Sequence, residues 1–387
     1  MTTPLASALE SFDEFLYFPS IAWDHSWERQ QTLIDAFCRG HAPRRGVVVA
    51  PTGLIDHAPW NAATWRRALA RRAPPAAASG SAQHVSNPRP ANLDYVQPRF
   101  PRGTNAAFAS MARMSSPELR ALRKARGRRL VFASYVNPLV ERFLENADFT
   151  ILDLAERRQA NPALAASVLE RERRWAARAD LLVADNAATL ADYADVRARA
   201  GRAAGLLLPQ GFTPPASAPA PAEGGGRTAA YLGNLHHAID YDYLLGLIDG
   251  NPDWTFRMCG QRMSHDATRV LERPNVDYRG VIANRQIAGF LEGVSWGLIP
   301  YTRTEWTAGV FPTKLFEYLG HGVPVLSTSI PEVARFQDDR FVHLSDTPVT
   351  LSAWPVDRAA LAAFVAPHTW AGRLDAYGRA ISSAAAA

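Results

Sequence analysis

The residues whose types and spacing best suit chemistry lie between Trp296 and Thr328, in WGLIPYTRTEWTAGVFPTKLFEYLGHGVPVLST. An apolar strand ends at Pro300, a polar loop containing glycine follows, and Pro312 then opens an amphipathic helix at a position where its missing N–H costs nothing. A helix start has unpaired N–H groups and the positive end of the dipole, which together attract a phosphate. Thr313 and Lys314 in the first turn add a hydroxyl and a positive charge. Glu317, one turn further along the same face, can accept hydrogen bonds from both hydroxyls of a ribose. The competing interpretation is a solvated lysine–glutamate pair on a helix surface, worth roughly 0.2–0.5 kcal/mol. Two features argue for placement. Lys314 and Lys124 are the only lysines among 42 basic residues, and Glu317 is embedded in Leu315, Phe316, Tyr318 and Leu319.

A second group of chemical side chains follows the first strand pattern, in IAWDHSWERQQTL. Asp24 or His25 can take a proton from an attacking hydroxyl, or Asp24 and Ser26 can simply cap the helix that begins there. Asp153 and Glu156 in ILDLAER form a further acidic candidate at a strand end, with Arg157, Arg158 and Arg174 as alternative partners of Glu156. Cys38 and Cys259 are too few and too far apart for a disulfide framework or a cysteine-based zinc cluster, so a reducing compartment is expected and no metal is. MTTPLASALESFDEF lacks the basic and apolar regions of a secretory signal, and no window approaches eighteen uninterrupted apolar residues. A cytoplasmic protein is the expectation.

Positioning these groups requires strands that end near helix starts. Short apolar runs alternate with helical patterns along the chain: EFLYFPSIAW, RGVVVAP, LVFASYV, DFTILDL, DLLVADN and GLLLPQG in the first half, then TAAYLGNL, WTFRMCG, NVDYRGVI, WGLIPYT, PVLSTS and FVHLS. Helical patterns fall between them, including SWERQQTLIDAFCRG, PLVERFLENA, a long arginine-rich run from Arg157 to Ala179, YDYLLGLIDG, RQIAGFLEG and TKLFEYLGHG. This rhythm predicts parallel sheets built from βα units. The proline-rich stretch Ala73 to Thr104 reads as irregular loop. PQGFTPPASAPAPAEGGGR, residues 209–227, has no residues able to build a buried face and reads as a linker. The expected organisation is a first Rossmann-like domain over 1–213, a linker over 214–227 and a second Rossmann-like domain over 228–387. The last helices can cross back to the first domain. Two such doubly wound α/β domains face a central cleft, where ligands bind at the carboxyl ends of the strands.

The formal charge of +5 is uneven, with 28 Lys+Arg against 20 Asp+Glu in residues 1–213 and 14 against 17 in residues 214–387. Arginine-rich stretches at Arg66–Arg72, Arg120–Arg129 and Arg171–Arg178 suit either peripheral contact with an anionic inner-membrane surface or solvated helix faces. They lack interleaved aromatics, which argues against nucleic acid.

FPTKLFEYLGHGVPVLSTSIPEV resembles the nucleotide-sugar segment of the group 1, or family 4-like, GT-B glycosyltransferases, with its P-x-K-x-x-E-Y/A-x-A-x-G-x-P-V pattern. TAAYLGNLHHAIDYDYLLGLIDGNPDWTFRMCG is similar to the opening βαβ of that family's donor domain, and NVDYRGVIANRQIAGFLEGVSWGLIPY to the stretch that follows. DFTILDLAERR, WAARADLLVADNAATL and LLLPQGF resemble first-domain elements. About two thirds of the chain is covered, best over residues 228–334, and bacterial teichuronic-acid, capsular or exopolysaccharide relatives look most similar.

The resemblance implies that Lys314 meets a donor diphosphate and Glu317 the ribose, with Pro312 and Thr313 beside them. It implies that Gly233 and Asn234 approach the donor, and that Val281 and Ile282 flank the base; a plain turn at Gly233 and ordinary core at Val281 and Ile282 are the alternatives. The family's first acidic residue, eight positions before Glu317, is Gly309 here, and Glu305 is the candidate substitute. The second phosphate-binding cation falls to Arg257, Arg262 or Arg303. The implied activity is transfer of a hexosyl group from a nucleoside-diphosphate sugar, UDP- or GDP-linked, to a glycan or lipid-linked hydroxyl, with neither metal nor separate cofactor. Alternatives are a nucleotide-sugar epimerase on the same fold, or a non-catalytic protein that binds nucleotide or glycan as a partner.

Overall fold

The structure, a computed structural model, describes residues 3–23, 29–42, 44–51, 88–97, 117–124, 127–155, 157–161, 164–215 and 226–386. Asp24, His25, Glu156 and the Arg66–Arg72 stretch lie outside the described residues. The chain divides into two compact units, one of Met1–Leu208 with Leu374–Ala387 and one of Pro209–Arg373.

The first unit is built on seven parallel strands: β1 (Glu14–Phe18), β2 (Gly46–Val49), β3 (Leu93–Val96), β4 (Arg129–Ala133), β5 (Phe149–Leu154), β6 (Leu181–Ala184) and β7 (Leu206–Leu207). Their order is β3-β2-β1-β4-β5-β6-β7. Every residue of β4, β5 and β6 is buried, as in strands covered on both faces, and all but Arg129, Thr150 and Asp153 are apolar. The flanking helices include α1 (Pro4–Leu9), α2 (Arg29–Gly40), α3 (Pro117–Ala121), α4 (Pro138–Leu144), α5 (Ala166–Arg178) and α6 (Ala187–Arg199). Asn137 starts α4 by accepting from the Leu139 and Val140 N–H groups, with Pro138 next in the chain. Val168, Glu172, Trp175 and Ala176 form the buried face of α5.

Three sequence expectations change here. β3 forms inside the stretch read as loop; it is an edge strand with little apolar character, held by pairing to β2 and by the Arg45–Asp94 ion pair. The Arg157–Ala179 run is not one helix, since a 3₁₀ turn at Arg158–Ala160 precedes α5. Of GLLLPQG, only Leu206 and Leu207 pair as strand.

The second unit has six parallel strands: β8 (Thr228–Leu232), β9 (Thr255–Cys259), β10 (Val276–Tyr278), β11 (Trp296–Ile299), β12 (Val325–Ser327) and β13 (Val342–Leu344). Their order is β10-β9-β8-β11-β12-β13. Helices α7 (Tyr241–Asp249), α8 (Ala267–Leu271), α9 (Ile287–Leu291), α10 (Lys314–Gly320), α11 (Pro331–Ala334), α12 (Arg358–Val365) and α13 (Trp370–Ala386) complete the fold, α13 passing from this unit into the first. The strand order reverses between β8 and β11, so the loops leaving those strands diverge and open a crevice at their carboxyl ends. Among the described residues, no helix is long and apolar enough to cross a membrane.

Candidate functional site

The divergence of β8 and β11 is where Lys314 is found. Its side chain, from the first residue of α10, is only 7% exposed, and its Nζ donates to the Tyr231 hydroxyl at 2.9 Å. The ammonium also sits 4.0 Å from the Tyr231 ring centre and 4.9 Å from that of Tyr301. Tyr231 is the penultimate residue of β8 and Tyr301 lies just beyond β11, so the two strands that part at the crevice supply the two rings. The Tyr231 hydroxyl donates onward to the Asn234 carbonyl at 2.9 Å. A lysine ammonium has three donors, and among the described residues one of them is taken. Among the described residues Lys314 and Glu317 form no ion pair, so the solvated surface pair considered from sequence does not occur.

Gly233 is the residue over which the ammonium lies. Its φ of +128° belongs to glycine, and a Cβ there would stand 3.1 Å from Lys314 Nζ. Gly260, at φ +123° after β9, packs its Cα hydrogens against the Gly233 carbonyl so closely that no Cβ fits. The two loops are joined further: Gln261 N–H donates to Asn234 Oδ1 at 3.1 Å, and Leu235 N–H to the Gln261 carbonyl at 2.8 Å. Gly233 and Lys314, 81 positions apart in the chain, are thus brought together by β8 and α10.

Regular helix begins at Lys314 rather than Pro312. Thr313 has helical dihedrals and an exposed side chain that makes no capping bond, while the Pro312 carbonyl accepts from Leu315 N–H at 3.0 Å. Glu317 is partly buried; burial raises its carboxyl above the ordinary range, against a smaller opposing pull from His321. His321 Nδ1 donates to the Glu317 carbonyl at 2.7 Å, leaving the carboxylate without a hydrogen-bond donor among the described residues.

The remaining candidates divide. Asn234 and Val281 are exposed, Val281 at 70%, and Ile282 is half-buried against the core, so ordinary core describes Ile282 but not Val281. Glu305 is exposed without a polar partner among the described residues, and Gly309 is buried in the 3₁₀ turn Thr307–Gly309. Arg257 is not available as the second cation, because its Nη1 donates to the Phe290 and Glu292 carbonyls at 2.6 and 2.9 Å. Arg303 is paired with Asp346 at 2.7 Å. Arg262, exposed just beyond Gly260, donates only to Thr268 Oγ1 among the described residues.

In the first unit Asp153 is not a free acid. It is 2% exposed, accepts from Arg29 Nε and Nη2 at 3.2 and 2.9 Å, and accepts from the Tyr377 hydroxyl at 3.0 Å. Arg29 Nη1 donates in addition to the Leu208 carbonyl. The arginines of α5 are also spent: Arg171 and Arg174 face Glu141, Arg173 pairs with Asp195, and Arg178 lies over Trp175. A cavity of about 460 Å³ beside α4 lies near the amino end of β4.

The sequence pattern did not single out the aromatic and imidazole side chains around Lys314. Tyr231, Tyr301 and Tyr318 alternate with apolar residues and read as core. Tyr318 donates to the Ala230 carbonyl at 3.1 Å and accepts from Leu232 N–H at 2.7 Å, tying α10 to the end of β8. His236 is half-buried beside Tyr301, and burial, then Lys314 and His237, push its pKa down to about 4.

No family model matches the chain. Over 119 residues, 29% of this chain and 29% of the relative, it is 29% identical to TuaH of Bacillus subtilis (strain 168), named provisionally as a teichuronic acid biosynthesis glycosyltransferase. The match thus spans under a third of that protein. The structure is similar to HepE of Anabaena solved with UDP and glucose, with a TM-score of 0.55 at 13% identity, covering 97% of this chain and 95% of that one. It is also similar to sucrose-phosphate synthase of Thermosynechococcus elongatus, with a TM-score of 0.56 at 14% identity, covering 96% and 94%. At such identities the likeness concerns the fold, and the fold is the two-domain α/β GT-B architecture that the sequence resemblance implied.

Proposed function

We propose that the chain is a GT-B glycosyltransferase that moves a sugar, of hexosyl type, from a nucleoside-diphosphate donor to a hydroxyl of a glycan or lipid-linked acceptor in cell-surface polysaccharide synthesis. The observation that carries this reading is the buried Lys314 ammonium, with two donors unspent among the described residues, held over Gly233 at the point where the strand order reverses. A fixed cation in a poorly hydrated site stabilises charge that develops on a leaving diphosphate. In the reaction, the bond from the anomeric carbon to the diphosphate oxygen breaks, a bond to the acceptor oxygen forms, and the acceptor proton leaves to a base. Lys314 meets the departing oxygen, the Glu317 carboxylate accepts from the ribose hydroxyls, and Val281 and Ile282 border the base. Arg262 is the second cation in this reading, since Arg257 and Arg303 are engaged elsewhere. Asp24 and His25 are the proton acceptors proposed for the first unit.

The likeness to HepE, solved with UDP and glucose, and to TuaH supports the choice of donor and the polysaccharide role. We place the enzyme in the cytoplasm and infer that a lysine in place of a metal ion compensates the diphosphate. Peripheral membrane contact has less support, because the α5 arginines already face carboxylates or an aromatic ring. The absence of a carboxylate at Gly309 favours one second reading, a protein that binds nucleotide without transfer.

Thermal shift with UDP-, GDP- and dTDP-sugars on wild type, Lys314→Ala and Glu317→Ala tests the site: one nucleotide stabilises the wild type and neither variant. If no nucleotide stabilises wild type more than the variants, the assignment fails. Turnover of the stabilising donor that survives EDTA separates transfer from binding alone and supports metal independence; activity lost to EDTA and restored by a divalent ion removes that part.

A further inference from the structure

A row of rings leads away from Lys314. The ammonium lies over Tyr301; the Tyr301 ring is 5.6 Å from His236, His236 is 5.9 Å from His237, and His237 is 5.5 Å from the indole of Trp306. The first members are buried or half-buried, and the row ends at Trp306, which is 45% exposed. Ala238 N–H donates to His236 Nδ1 at 3.2 Å, which puts the proton of the neutral ring on Nε2.

Trp306 is presented by a turn with little freedom. Thr304 and Thr307 cross-link it: Thr304 N–H donates to Thr307 Oγ1 at 2.8 Å, Thr307 N–H to Thr304 Oγ1 at 3.1 Å, and Thr307 Oγ1 to the Thr302 carbonyl at 2.6 Å. Among the described residues the exposed large apolar side chains are Met263, Val281, Trp306 and Trp354, and the first three stand in the loops after β9, β10 and β11. Trp354 has an ordinary structural explanation, since its Nε1 donates to the Arg340 carbonyl and its ring packs on His343 and Trp296. Trp306 packs its ring on His237, but among the described residues its indole N–H has no acceptor. An indole offers a pyranose an electron-rich face for its axial C–H bonds and an N–H for a hydroxyl. The buried glycine at 309 offers it no carboxylate.

We propose that Trp306, seated on His237, is the platform on which the transferred sugar rests, and that this chain selects its donor by stacking and an indole N–H. The inference rests on the donor-site reading above. It predicts a division of binding energy between the lysine end, which holds diphosphate, and the tryptophan end, which holds only sugar.

The test compares wild type, Trp306→Ala, Trp306→Phe and Lys314→Met by calorimetry, with the nucleoside diphosphate alone and with its sugar conjugates as probes. Trp306→Ala is expected to leave the nucleoside diphosphate Kd within about twofold and raise the sugar-nucleotide Kd at least tenfold, with Trp306→Phe intermediate. Tm is unchanged in both because the side chain is exposed. A Trp306→Ala protein that binds both probes as wild type does, while Lys314→Met binds neither, overturns the platform and leaves the donor site standing. Equal weakening of both probes by Trp306→Ala also overturns it. Failure of wild type to bind any nucleoside diphosphate overturns both.

Discussion

Replacing Lys314 with methionine separates a charge that works on a ligand from a charge that holds the fold. The methionine keeps most of the buried stem, and swaps of similar volume in a packed site cost less than about 1.5 kcal/mol. Two cation–π contacts disappear, each worth about 0.5–2 kcal/mol, but so does the desolvation of an ammonium that is only 7% exposed. Tyr231 loses an accepted hydrogen bond and still donates to the Asn234 carbonyl, so no buried donor is orphaned. The net change in stability is therefore within about 1.5 kcal/mol, or a Tm shift of roughly 3–6 °C for a unit of this size. The ligand loses two charge-assisted hydrogen bonds of about 1.5–3 kcal/mol each, so kcat/KM falls roughly a hundred- to ten-thousand-fold. Initial rates with the stabilising donor, read beside a melting curve, measure both numbers. Wild-type kcat/KM in Lys314→Met would refute the reasoning, as would a loss of activity matched by collapse of the melting transition.

Glu317→Gln gives the opposite combination. Burial raises the Glu317 carboxyl, so the folded state holds its proton more tightly than the unfolded chain, and the stability linked to this group falls as pH rises from the ordinary carboxylate range through the raised value. The glutamine variant is expected to melt higher than wild type at pH 7 and equally near pH 3, while binding nucleoside about tenfold or more weakly; melting curves against pH with calorimetry check both. In the first unit, Asp153→Asn leaves the Arg29 guanidinium buried without its counter-charge and should cost about 3–5 kcal/mol in urea unfolding. Tyr377→Phe removes one bond to the same carboxylate and should cost about 1.5–3 kcal/mol, and equal losses would contradict this ordering. Gly233→Ala forces a Cβ at φ +128° toward Lys314 Nζ and should weaken nucleotide binding and cost about 1–3 kcal/mol, whereas Gly201→Ala, with open space at φ +67°, costs only about 1 kcal/mol and leaves binding intact.

Much of the fold was legible because burial leaves a local signature. β4, β5, β6, β8 and β11 lie within apolar runs identified from the chain, since strands covered on both faces are built mostly from apolar side chains. β3 escaped notice for the converse reason: an edge strand satisfies its backbone on one side and tolerates Asp94, Tyr95 and nearby prolines. The division of the Arg157–Ala179 run was hidden by a helical pattern of charge that continues through the 3₁₀ turn. At the site, Lys314 and Gly233 stood out by rarity and by turn chemistry. His236, His237 and Trp306 did not, because isolated aromatic residues near strand ends look the same whether they pack or bind.

The amino-acid sequence by itself determined two runs of alternating strands and helices, a lysine and a glutamate one helical turn apart, and a glycine at a strand end. Each is decided by neighbours within a few positions, where periodicity and backbone sterics act. Only the tertiary structure decided which groups meet. It places Lys314 between two tyrosines and above Gly233, and commits Arg257 to backbone carbonyls. It also takes Asp153 out of consideration as an acid by pairing it with Arg29 and Tyr377, 124 and 224 positions away. A charge's role depends on the partner that compensates it, and burial selects that partner from anywhere along the chain.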